Sequence, residues 1–125
     1  MRLSPLAFAG LLLIATPLIA QAAPTTSTGQ ISVAQMVELS SRAGTDPNAR
    51  MTMIAYLAGV GEATGLMVGE AKQRGASVQC TRDFNLDENT ALAAVAAAVP
   101  DRDKWTETPA TPIIIADMFK RAGCR

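Results

Sequence analysis

The sequence predicts an all-α fold, a small bundle of about four helices stapled by one disulfide and preceded by an N-terminal signal peptide. Three observations carry that expectation. Apolar residues recur at helical spacing in four separate stretches. Residues that start and stop helices bracket those stretches. Two cysteines, Cys80 and Cys124, stand in a chain whose amino-terminal segment reads as an export signal.

Residues 1–22 carry the signal features. Arg2 gives the positive n-region, and Leu6 to Ala20 is uncharged. That run has the length of an h-region and is short for a membrane anchor. Ala20-Gln21-Ala22 offers the small-x-small pattern for cleavage after Ala22. Cleavage after Ala23 is the poorer alternative, because Pro24 would then follow the cut. Residues 23–30 (APTTSTGQ) are polar without a hydrophobic period and read as a flexible leader. Residues 31–125 form one domain, long enough for a modest core.

The first helix is predicted from Val33 to Arg42. Ser32 is its cap, Gln35 completes a capping box, and Gly44 stops it. Asp46 and Pro47 open the second helix as N-cap and first residue. Its apolar pattern runs from Met51 to about Ala71, with Gly75 as the stop. Met51, Ile54, Leu57 and Ala58 mark the expected buried stripe. Gly61, Gly65 and Gly69 lie four apart in one row of this helix, joined by Gly59. Each glycine costs up to about 1 kcal/mol against alanine in a helix interior. Close approach of another helix would offset that cost, either within the domain or between two copies.

A loop over residues 76–84 carries Cys80. Asn85 is the predicted cap of a third, alanine-rich helix, with Glu88 reaching back and Pro100 ending it. Leu86, Leu92, Val95 and Val99 supply its larger apolar groups. The last helix starts between Pro109 and Pro112 and runs to Ala122, with Gly123 as its stop. The run Ile113-Ile114-Ile115 alone would also suit a short strand.

The whole chain balances 11 basic against 11 acidic residues. Loss of Arg2 with the signal segment makes the remainder slightly acidic, which disfavours nucleic acid as a partner. No basic amphipathic stretch points to membrane binding once the signal is removed. In an oxidising compartment Cys80 and Cys124 are expected to pair.

There is no histidine in the chain. Catalytic triads, Cys-His pairs and His-ligated zinc are therefore excluded. Gly59, Gly61 and Gly65 have GxGxxxG spacing inside a helical pattern, so no cofactor site is expected there. Glu62 with Glu70, and Asp83 with Asp87, are the candidate carboxylate pairs, and a solvated surface is the reading we favour for them. The chain is expected to be a binding protein without enzymatic activity or cofactor. Residues Asp101, Arg102, Asp103, Lys104 and Trp105 form a proline-flanked charged loop. Trp and Arg are enriched at binding hot spots, so the loop is a candidate partner-binding knob. Alternatively Trp105 folds back and plugs the core.

The order of signal, short helix, a helix carrying Tyr56-Leu57-Ala58-Gly59-Val60, Cys80, helix, charged loop and a last helix ending in Cys124 resembles the Rap/Tai family of type VI secretion amidase immunity proteins. The resemblance spans residues 31–125, and its motifs are short. One family cysteine pair falls at Ser40 and Met53 here, so both partners of that bond are replaced together. The resemblance implies a periplasmic protein that binds and inhibits a secreted peptidoglycan amidase, in some cases as a homodimer. A periplasmic stress chaperone, or another small binding protein with no toxin partner, is the alternative.

Overall fold

The structure is a computed structural model that describes residues 23–125. The expected signal segment, residues 1–22, lies outside the described residues. Four α-helices are present among the described residues: α1 (Val33–Ala43), α2 (Pro47–Gln73), α3 (Glu88–Ala98) and α4 (Ala110–Ala122). A single 3₁₀ turn spans Arg102–Lys104, and the fold is all-α as the sequence predicts. The isoleucine run belongs to α4, where Ile114 is fully buried and its neighbours Ile113 and Ile115 are half-buried.

Local chemistry sets the helix ends. Ser32 caps α1 by accepting from the Gln35 backbone N–H at 3.0 Å. The return half of the predicted box is not made, and the Gln35 side-chain oxygen is buried without a partner. Asp46 accepts from the Asn48 N–H at 2.9 Å, and Pro47 is the first residue of α2. The cap of α3 is Asp87 rather than Asn85. Asp87 accepts from the Thr90 N–H at 2.9 Å, and the Thr90 hydroxyl accepts from the Asp87 N–H at 3.1 Å. A threonine thus closes the box that Glu88 was expected to close. Gly123 ends α4 in the left-handed region at φ 65°. A side chain there would also collide with the Thr81 hydroxyl, 2.4 Å from an added Cβ.

The helices pair as α1 on α2 and α3 on α4, with lighter contacts across. Val33 and Met36 meet Met53 and Leu57, while Val95 meets Ile114 and Met118, in one continuous core. Full burial of a side chain such as Ile114 is worth about 1.5–3 kcal/mol. The polar segment ahead of α1, the expected leader, makes hydrogen bonds to the rest of the domain. Pro24 C=O accepts from the Ser32 hydroxyl at 2.8 Å, and the Ser27 N–H donates to Glu107 at 3.1 Å. Thr26 is itself buried. Short polar runs escape hydrophobic-period reasoning, because hydrogen bonds to distant partners hold them.

Cys80 and Cys124 form the expected disulfide. It lies beside a reciprocal pair of backbone hydrogen bonds between Gln79 and Arg125, at 2.9 and 3.1 Å. Phe84 packs on Phe119 with ring centroids 5.2 Å apart. The segment before α3 is thereby clamped to the carboxyl end of α4.

Candidate partner-binding surfaces

The second helix departs furthest from expectation. Its buried row is Ala49, Met53, Leu57, Val60, Thr64 and Val68. Met51, Ile54 and Ala58, three of the four residues predicted to be buried, face solvent. Between Arg50 and Glu70 the only charged residue is Glu62, so the sequence offers little polar contrast to mark an outer face. The position of α1 settles the orientation. The buried row at 49, 53, 57 and 60 is the one that reaches α1 and the core.

α2 has 27 residues and is about 40 Å long, whereas α1 has 11 and covers only part of it. Large apolar side chains are left uncovered: Met51 is 64 % exposed, Ile54 54 %, Leu66 75 % and Met67 68 %. By length and composition α2 is apolar enough to cross a membrane, although its buried row belongs to the domain core. The glycine row lies on this uncovered side. Among the described residues nothing lies within 4 Å of where a Cβ would stand at Gly59, Gly61, Gly65 or Gly69. Close packing within the domain, one of the two readings of the row, is therefore not found.

An apolar groove of about 470 Å³ borders this face. Ile54, Ala58 and Gly61 of α2 form one wall and Phe84 and Leu86 the other, with Met118 also lining it. Asp87 and Glu88 supply its polar lining. Glu88 also accepts a hydrogen bond from the Ser40 hydroxyl of α1. The backbone N–H groups of the α3 cap hold the Asp87 carboxyl below the usual carboxylate range, so it is ionised at neutral pH.

The 101–105 loop divides in two. Asp101, Arg102, Asp103 and Lys104 are exposed, and Asp101 caps the 3₁₀ turn through the Asp103 N–H at 3.1 Å. Trp105 does not project. Its ring packs on the core, its indole N–H donates to Val99 C=O at 2.9 Å, and its own carbonyl accepts from the Ala34 N–H. The Arg102 guanidinium lies 5.3 Å from the Trp105 ring centroid, which steers that cation along the loop. The loop thus offers charge without an aromatic anchor.

Two of the four carboxylate candidates serve structure, and Asp83 is exposed. Glu70 pairs with Arg74 at 2.7 Å, and Asp87 caps α3. Glu62 is exposed on α2. Gly59, Gly61 and Gly65 all lie inside α2, so they form no phosphate-binding loop. Among the described residues no group of three or more Asp, Glu or Cys is placed to hold a metal ion. The uncovered methionines and leucine of α2 were missed from the sequence. Their signal was present: a nearly uncharged helix of this length exceeds what three shorter helices can cover on all sides.

No protein family, characterised protein or solved structure compared with the chain matches it.

Proposed function

We propose that the chain is an exported, immunity-type binding protein that acts in the periplasm and inhibits a secreted peptidoglycan amidase by covering its active site. The uncovered apolar face of α2, with Met51, Ile54, Leu66 and Met67, is the observation that supports binding best. Large apolar side chains left uncovered along one helix make that helix a candidate for protein association. The adjoining groove offers a slot for an apolar side chain, and the exposed charges of residues 101–104 provide a second, polar patch. The amidase as partner rests on the resemblance of residues 31–125 to the Rap/Tai pattern. The disulfide accords with an oxidising compartment.

A deletion strain mixed with its parent tests this. Immunity predicts that the deletion strain lyses only when the parent has an active type VI apparatus. A plasmid copy should rescue it with residues 1–22 present and not without them. Equal survival of both strains would remove the immunity reading. The same exposed methionines also suit a periplasmic chaperone. That reading predicts suppression of client aggregation on acidification, with no dependence on a secretion apparatus.

A further inference from the structure

We propose that Glu38 is a docking site for the α-ammonium group of Ala23, created when residues 1–22 are removed. The inference rests on the export reading and on cleavage after Ala22. Its starting point is one contact. The backbone nitrogen of Ala23 donates to the half-buried Glu38 carboxylate of α1. In the precursor that nitrogen is a neutral amide with one hydrogen. After cleavage it carries three hydrogens and a positive charge, in the same place.

The surrounding charges favour that change. Glu38 Oε1 lies 3.7 Å from Arg42, while Arg42 makes its close pair with Asp46 at 2.9 Å. Arg42 is thus largely committed to Asp46, and its guanidinium holds the Asp46 carboxyl below the usual range. Two carboxylates share one cation, which leaves a deficit of one positive charge at Glu38. The new ammonium supplies it. From α2, Thr52 and Tyr56 face the same groove. Burial pushes the Tyr56 phenol up, so it is neutral there, and its hydroxyl bonds Thr111 at 2.9 Å. The groove of about 250 Å³ between α1 and α2 is also lined by the polar Gln35, with Ile31, Met36 and Leu39 as its apolar walls.

The next residues hold the nitrogen in register. Pro24 C=O accepts from the Ser32 hydroxyl, which also caps α1. The Thr26 N–H donates to Gln30 C=O at 2.9 Å, and the Gln30 N–H returns to the Thr26 hydroxyl at 3.0 Å. A cut after Ala23 would leave Pro24 first and delete the contact. The contact therefore distinguishes the products of the two cleavage positions. Maturation adds an ion pair to a segment that already folds back, so the processed domain is steadier than its precursor.

The test uses protein exported from the full-length chain in three forms: wild type, Glu38→Gln, and a Gly-Ser insertion between Ala22 and Ala23. Intact mass fixes the first residue of each. The rate of α-amine acylation at pH 7 and the thermal midpoint are then compared. Pairing raises the amine pKa, and half a unit corresponds to about threefold slower acylation. Wild type should react about threefold more slowly than the other two and melt a few degrees above the insertion form, on the order of a modest surface ion pair. The insertion displaces the ammonium without touching the core, so it decides the matter if Glu38→Gln does not fold. Equal rates in a protein that begins at Ala23 would overturn the docking site and leave export standing. A first residue other than Ala23 would overturn the cleavage position and the docking site with it.

Discussion

Replacing Gly61, Gly65 and Gly69 together by alanine separates what a helix needs alone from what it needs in company. Each position is inside α2, and a Cβ there meets nothing within 4 Å. No steric term opposes the change in the isolated domain. The gain is then the helix propensity difference, about 0.8–1 kcal/mol per site in the interior and less at Gly69 near the helix end. The triple variant should gain about 2 kcal/mol, which for a domain of this size raises the melting temperature by roughly 10 °C. Urea denaturation of the purified monomer reads the stability, and the linear dependence on urea should keep its slope. Loss of stability in the monomer would mean that part of the same chain fills the row, and the open-face description would be wrong. If the row admits a partner or a second copy, the same variant should associate more weakly while folding more tightly. Unchanged association would show that the glycines are not at the contact.

Other perturbations probe the rest of the domain. The double variant Cys80→Ser, Cys124→Ser opens a bond spanning 44 positions, so chain entropy sets a loss of about 4 kcal/mol; a loss under about 1 kcal/mol by urea titration would contradict that account. Ile114→Ala, at a fully buried position, should cost about 2–5 kcal/mol in the same titration. Trp105→Phe removes the indole bond to Val99 and should cost about 1 kcal/mol; an increase in stability would show that the indole is not satisfied by that carbonyl. Backbone N–H donors at Asp87 and Glu107, and chiefly Arg42 at Asp46, lower these carboxyl pKa values. A depressed folded-state pKa gives stability that is present above the unfolded value near 4 and is lost as pH falls through the folded value. Denaturant midpoints measured from pH 5 downward should fall, and Asp87→Asn should flatten part of that fall.

The local signals were readable where one residue decides the outcome. Ser32, Asp46, Pro47 and Gly123 each act at a helix boundary through their own backbone or side chain, and each stands where its chemistry predicts. The cap of α3 was ambiguous, because Asn85 and Asp87 both have a suitable partner three residues later and only one can start the helix. The face of α2 was not readable. A helix apolar all round gives no contrast, and the choice of Met53 over Met51 depends on where α1 lies. Trp105 posed the same difficulty, since a loop tryptophan is an anchor or a plug according to what carbonyl lies nearby, here that of Val99. The Glu38 contact joins residues that no periodic pattern connects. Candidate surfaces were therefore less legible than the fold, because exposure is a property of the assembled domain.

The starts of α1 and α4 satisfy each other. Ser32 and Pro109 form an antiparallel bridge, the Val33 N–H donates to Thr108 C=O, and the Ala110 N–H donates to Ile31 C=O, both at 2.9 Å. Pro109 gives α4 no side-chain cap of its own. Roughly three quarters of the described chain lies between these partners. For a polypeptide delivered amino end first, the Val33 and Ala34 donors at the start of α1 find their partners, the carbonyls of Thr108 and Trp105, only once the loop ahead of α4 has been made. The helix made earliest is thus among the last to be completed.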